Sequence, residues 1–382
     1  MMKKLFFVVA AVVFCLVGYA QQTLVESPNH KIRVMLQHTD STQKWHLNLS
    51  YLSGNRAVEL IPVIRLGLRR SDQDFSEHLK LIKSSKISFI AEKYQSIHGK
   101  RSACSNMANE ITFSFQNGSD SKMNLIIRAY NDGVAFRYEF PDKKGNYQIL
   151  DELTSYQIQE TANRWLEKWN TANENVYTPQ KNDHLQQSWG YPALFQHSGD
   201  GLWLLIHESA LDRNYCGSKL SNTTRSDEYK VTFPDQQDGN GIGNTQPTIS
   251  LPWKSPWRVI IAGELADIVE STLVDDVCPP SEMKNTSWIQ PGAVSWNYWS
   301  NNHGTKDFQE VCRFADLAVA MHWPYTLLDW EWDAMNNGGQ LEDAARYILS
   351  KGLKPLIWYN SGGKHTNVTA TPRDRMLTRE SR

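Results

Sequence analysis

From Thr23 to about Thr272, apolar and polar positions alternate in short runs separated by turn residues. Residues 110–115 are the clearest case: Ile111, Phe113 and Phe115 are interleaved with Thr112 and Ser114. Alternation at period two puts one set of side chains on each face of a strand. Further β runs fall at 32–35, 46–51, 87–90, 125–130, 134–140, 202–207, 229–233 and 257–262. Between them lie turn clusters such as 53–55 (SGN), 117–119 (NGS) and 238–241 (DGNG). Many short strands joined by polar turns predict a β-sandwich. The length of the region predicts large sheets with insertions.

After Val274 the rhythm changes. Cys278, Pro279, Pro280 and Ser281 break the chain. Residues 293–300 then read as a strand. Residues 307–321 read as a helix, with Phe308, Val311, Cys312, Ala315 and Val319 at helical spacing and Asp307 near the start. A strand over 325–332, a helix over 341–350 stopped by Gly352, and a strand over 353–359 follow. Strands alternating with helices predict a parallel sheet. Periodicity alone does not separate a doubly wound sheet from a barrel. The strand ends point to a barrel, because they carry Trp296, Asn297 and Trp299, then Asp329, Glu331 and Asp333, then Trp358 and Asn360. Barrel active sites gather at the C-terminal ends of the strands. The loop 301–304 (NNHG) lacks the glycine spacing of a dinucleotide site.

The first twenty residues stand apart. Lys3 and Lys4 precede an apolar stretch from Leu5 to Val17, and Gly18, Tyr19 and Ala20 offer a cleavage site before Gln21. This is the pattern of a secretory signal peptide, too short for a membrane span. The expected organisation is a signal peptide over 1–20, a β-sandwich domain over 21–274, a linker over 275–290 and a partial barrel over 291–382. The expected destination is the periplasm or the cell surface, with no membrane contact after cleavage. Forty basic and 41 acidic residues without a basic run argue against a nucleic-acid partner. Cys104, Cys216, Cys278 and Cys312 fit no zinc spacing and read as buried thiols or one incidental bridge. The chain holds 14 Trp, 15 Tyr and 13 Phe, a store of rings that either fill cores or stack on sugars.

Four segments in order resemble glycoside hydrolase family 97: residues 128–140 (RAYNDGVAFRYEF), 207–212 (HESALD), 255–260 (SPWRVI) and 287–296 (SWIQPGAVSW). The resemblance implies an N-terminal super-β-sandwich followed by the first three βα units of a (β/α)8 TIM barrel. It implies action on α-glucosides or α-galactosides, so that the partner is an oligosaccharide or α-glycoside substrate. It implies a carboxyl pair at the scissile bond and a calcium ion held largely by carboxylates. The family's catalytic carboxylates come from later barrel strands. They are expected beyond Arg382, which would make this a truncated chain, inactive alone. The alternative is a non-catalytic carbohydrate-binding or degenerate product.

The resemblance assigns roles to single residues. Glu174 matches a loop glutamate that reaches the calcium; the plain alternative is a solvated carboxylate. Asp329 matches the strand-two aspartate that hydrogen-bonds sugar hydroxyls. Glu331 either points the same way by strand alternation or pairs with a cation at the barrel rim. A catalytic pair of Asp329 and Glu331, about 7 Å apart along one strand, would sit on one side of the sugar and is disfavoured. Trp296, Trp299, Trp358 and Asn360 are candidate sugar contacts, with rim packing as the alternative for the indoles. His303 and His365 lie in loops after the first and third of these strands, and Glu208 reads as structural.

Overall fold

The computed structural model describes residues 23–39, 44–180, 186–239, 241, 243–360 and 372. Residues 1–20, expected to be a signal peptide, and His365 lie outside the described residues. All nine β runs read from the sequence overlap strands. The described chain is mostly β-sheet with few helices. It divides into two compact units: the described residues of Met1–Ala91, Asn106–Thr232 and Thr248–Val277, and those of Glu92–Ser105, Phe233–Pro247 and Cys278–Arg382.

Two large antiparallel sheets dominate the first unit. One has eight strands and runs from Thr23–Glu26 through Ile32–Thr39, Lys44–Ser53 and Arg56–Arg65 to Ser155–Gln157 and Glu228–Thr232. The other has eleven, and its centre is Lys122–Tyr130, Gly133–Phe140, Trp257–Gly263 and Trp203–Ser209. A strand buried on both faces loses its polar alternation, and Trp257–Gly263 is buried at every position. Its Trp257, Val259 and Ile261 pack with Ile268, Leu273 and Val277, from and just after two short helices. The strand Arg56–Arg65 was not read from the sequence because Pro62 interrupts it. A strand tolerates proline at an irregularity, and the pairing with Lys44–Ser53 shifts register between Leu47 and Ser50, opposite Pro62.

Arg258 alternates to the other face of its strand and is buried with two carboxylates. Its Nε and Nη2 donate to Glu152 at 2.7 and 2.5 Å, and its Nη1 donates to Glu208 at 2.5 Å. Ser218 completes the shell of Glu208, donating through its backbone N at 2.9 Å and its Oγ at 2.5 Å. Buried charges persist when they are paired and hydrogen-bonded. Glu208 thus takes the structural place expected of it. No disulfide joins Cys104, Cys216, Cys278 and Cys312 to one another; Cys104 and Cys312 are buried, and Cys278 is exposed.

In the second unit, Val294–Ser295, Tyr325–Leu328 and Lys354–Ile357 form a parallel three-stranded sheet in chain order. The helices Phe308–Ala320 and Leu341–Ser350 connect them. Asp307 caps the first helix by accepting from the backbone N of Gln309 and Glu310. Val311, Ala315, Ala318, Leu328, Ala344 and Ile348 form the core between helices and sheet.

The strands are shorter than the periodicity suggested, and the corrections have local causes. The strand expected over 293–300 ends at Ser295, because the Asn297 carbonyl accepts from the backbone N of Ser300 and Asn301 and turns the chain. The strand expected over 325–332 ends at Leu328, and the Asp329 side chain accepts from the backbone N of Trp330 at 2.6 Å. Glu331 then adopts a left-handed conformation, φ 66°. Strand alternation therefore does not relate Asp329 to Glu331.

Candidate functional site

The ends of the parallel strands bring several of the expected residues together. Asp329 is 6% exposed, and its Oδ2 accepts a hydrogen bond from the indole Nε1 of Trp296. Its backbone N donates to Thr305 Oγ1 at 3.1 Å, and Thr305 Oγ1 donates to Asn297 Oδ1 at 3.2 Å. Asn297 is 2% exposed. Gly304 lies against it so closely that a Cβ there would stand 2.7 Å from Asn297 Nδ2. A bare backbone is needed where the loop packs on the amide. These contacts hold one carboxylate, one amide and one indole as a connected group across the first two strand ends.

Outside that group the rings are open. Trp296 and Tyr298 stack with centroids 5.3 Å apart, and Trp299 meets Trp296 edge-on at 6.0 Å. Trp299 is 84% exposed. Rings of this kind suit the apolar faces of sugars, and the nearby carboxylate and amide suit hydroxyls.

Glu331 takes the other course open to it. Its Oε2 lies 2.7 Å from His303 Nδ1 and its Oε1 4.0 Å from Lys306 Nζ. Trp358 is tied through its backbone: its N donates to Leu328 O at 2.9 Å, and its O accepts from Trp332 Nε1 at 2.7 Å. Asn360 is buried, with its backbone N donating to Pro372 O at 3.1 Å.

Glu174 lies in the first unit, exposed on the loop that follows the strand Asn163–Leu166. A residue overlooked in the sequence organises that loop. Glu167 is buried, and its Oε1 accepts from Asn170 Nδ2 at 3.0 Å and from the backbone N of Asn175 at 2.7 Å. Its Oε2 has no hydrogen-bond partner among the described residues. Burial, then the charge of Glu167, pushes the Tyr177 phenol up to about 12. The signal available was Glu167 standing between Trp165 and Trp169 ahead of an asparagine-rich turn.

Two large antiparallel sheets precede a parallel α/β unit whose strand ends carry a carboxylate, an amide and exposed rings. Residues 25–280 match the family described as Glycosyl-hydrolase 97 N-terminal, and the chain belongs to glycoside hydrolase family 97. It is 27% identical to a probable retaining alpha-galactosidase of Streptomyces bingchenggensis over 350 residues, 87% of this chain and 51% of that protein. It is 26% identical to the retaining alpha-galactosidase of Bacteroides thetaiotaomicron over 401 residues, 94% of this chain and 58% of that one. The crystal structure of a beta-arabinopyranosidase superposes with a TM-score of 0.85 at 28% identity, covering 93% of this chain and 58% of that chain. A family 97 enzyme from Pseudoalteromonas sp. strain K8, solved with acarbose, shares the fold at a TM-score of 0.76 and 21% identity, covering 89% and 55%. The chain thus spans between half and three-fifths of the length of these relatives.

Proposed function

We propose that this chain holds the sugar in a glycoside hydrolase that acts on α-linked galactosides. The observation that carries the reading is Asp329, fixed at a strand end by Trp296 beside the exposed Trp299. The two relatives named retaining alpha-galactosidase support galactose over glucose. In this reading the parallel unit is the opening of a (β/α)8 barrel. Support comes from its edge strand Lys354–Ile357, where Leu356 and Ile357 are exposed apolar residues that a further strand would cover. Asp329 accepts from sugar hydroxyls, Asn297 holds the loop behind it, and Glu331 orients His303.

Galactose and glucose titrated into the chain by calorimetry test this. Galactose is expected to bind about tenfold tighter, and Asp329→Ala is expected to abolish its binding. Equal affinity for both sugars, or galactose binding that survives Asp329→Ala, overturns the reading.

Calcium belongs to the same proposal. A carboxylate on an exposed loop suits a hard cation that takes oxygen ligands, and Glu167 Oε2 at the base of that loop is a buried oxygen without a hydrogen-bond partner among the described residues. Among the described residues no three His, Cys, Asp or Glu cluster as a metal site. In this reading Glu174 is one ligand of the ion, and further oxygens complete the set. When bound, the ion supplies a fixed positive charge. Export to the periplasm or the cell surface rests on Lys3, Lys4 and the apolar residues 5–17. A mature N-terminus at Gln21, read by mass spectrometry, checks it.

A further inference from the structure

Four adjacent strands of the eight-stranded sheet carry polar residues in one transverse row. His46 lies opposite Arg65, Arg65 opposite Ser155, and Ser155 opposite Lys230. Residues directly opposite in a sheet share a face. Over this row opens a cavity of about 590 Å³ in the first unit. That is the size of a small-molecule site, far larger than an inorganic ion requires.

The wall has a charge bias. Among the described residues, Lys44, Arg65, Arg69 and Lys230 line it against two carboxylates, Glu77 and Glu228. Asp74 and Asp151, which pair with Arg69 and Lys230, are not part of the lining. Arg65 is held in a particular way. Its Nε donates to Glu228 Oε1 at 2.7 Å, and Ser155 Oγ donates to the same oxygen at 2.5 Å. The guanidinium is thus anchored through its inner nitrogen, with no hydrogen bond from its two terminal nitrogens to the described residues. Trp45 precedes His46 on the same strand, so its ring lies on the opposite face, packed against Phe115 at 5.2 Å with its Nε1 donating to Leu79 O at 2.8 Å. His46 stays below the ordinary imidazole range through burial and then the Arg65 charge, which adds a neutral polar group to the row.

We propose that this cavity binds a saccharide that carries a carboxylate, a uronate. The carboxylate takes the two terminal nitrogens of Arg65 side by side, the geometry a guanidinium offers best. Ring hydroxyls meet Ser155 and Glu228. The site is separate from the strand-end group around Asp329 and does not depend on hydrolysis.

Calorimetric titration of the chain at low ionic strength tests it with three probes: digalacturonate, neutral digalactose and inorganic phosphate. Digalacturonate is expected to saturate the site and bind about tenfold tighter than either other probe. Arg65→Gln and Lys44→Glu are each expected to lower that affinity about tenfold, while Asp329→Ala leaves it unchanged. Lys44 is partly exposed and pairs with the exposed Glu77 among the described residues, so Lys44→Glu decides the matter if Arg65→Gln does not fold. No binding up to ~10 mM digalacturonate overturns the proposal. Equal binding of digalactose in the Asp329→Ala background, where the strand-end group no longer takes galactose, overturns it too, as does equal binding of phosphate, which would mark an oxyanion site only. Affinity unmoved by the cavity substitutions, or lost with Asp329→Ala, also overturns it.

Discussion

The indole of Trp296 donates a hydrogen bond to Oδ2 of Asp329, joining the end of one parallel strand to the end of the next. The other carboxylate oxygen already accepts from the backbone N of Trp330 at 2.6 Å. Each oxygen keeps a further lone pair for a ligand, and neither can rotate without losing a bond. Asp329 is thereby set in one orientation before any sugar arrives, and the exposed Trp299 stands near the same strand end.

Loss of that donor should weaken sugar binding without removing the acceptor. Trp296→Phe is expected to lower galactose affinity about tenfold and Asp329→Asn by more, since a hydrogen bond to a charged group contributes about 1.5–3 kcal/mol. Calorimetry on both variants checks the order. Unchanged affinity in Trp296→Phe would show that the indole packs without positioning the carboxylate.

The Arg258 cluster sets an expectation for stability. Arg258→Met leaves Glu152 and Glu208 buried without their cation and should cost about 3–5 kcal/mol at neutral pH, measured by urea unfolding. In the parent, burial acts to raise the pKa of Glu152, but the charge and hydrogen bonds of Arg258 outweigh it and hold the group below the ordinary value of 4.5. That contribution is fully present above about pH 4.5 and is lost as pH falls through the depressed folded value. In the variant, burial is opposed only by the hydrogen bonds of Tyr215 and Thr154 and raises the folded pKa relative to the parent, so the unfolding deficit should shrink as pH falls. A deficit constant from pH 7 to pH 4 would show that the cluster carries no ionised carboxylate.

The calcium proposal has a readout independent of turnover. Calcium should raise the melting temperature of the chain, a chelator should reverse the rise, and Glu174→Gln should weaken calcium affinity about tenfold. A parent protein whose melting curve ignores both calcium and chelator would remove the ion from the account.

The thiols should separate by environment. Burial, then the negative charge of Glu208, pushes the Cys216 thiol up to about 12. Because the thiolate is the reacting form, Cys216 should stay unlabelled at pH 8 while the exposed Cys278 reacts first with a maleimide. Peptide mapping after brief labelling checks this, and fast labelling of Cys216 would mean that the strand-end loop around it opens readily.

Much of the fold could be read from residue order alone, for reasons that differ by region. Ile111, Phe113 and Phe115 carry the period-two signal because their strand has one buried and one wetter face. The helix Phe308–Ala320 was legible because its apolar stripe and the Asp307 cap are local features. Arg56–Arg65 was hidden because a bulge, invisible along a single strand, absorbs Pro62. Glu167 was hidden because its role lies in holding a loop that returns to it.

Local composition and period settled which segments become strands or helices, and the family segments settled the lineage, since both are written in neighbouring residues. Partner choice was a matter for the tertiary structure alone. Glu331 turns to His303, Asp329 turns to Trp296, and Arg65 joins a row with Ser155 and Lys230. The physical reason is range: a side-chain hydrogen bond acts over about 3 Å, and only the folded chain brings residues that are far apart in sequence within that distance.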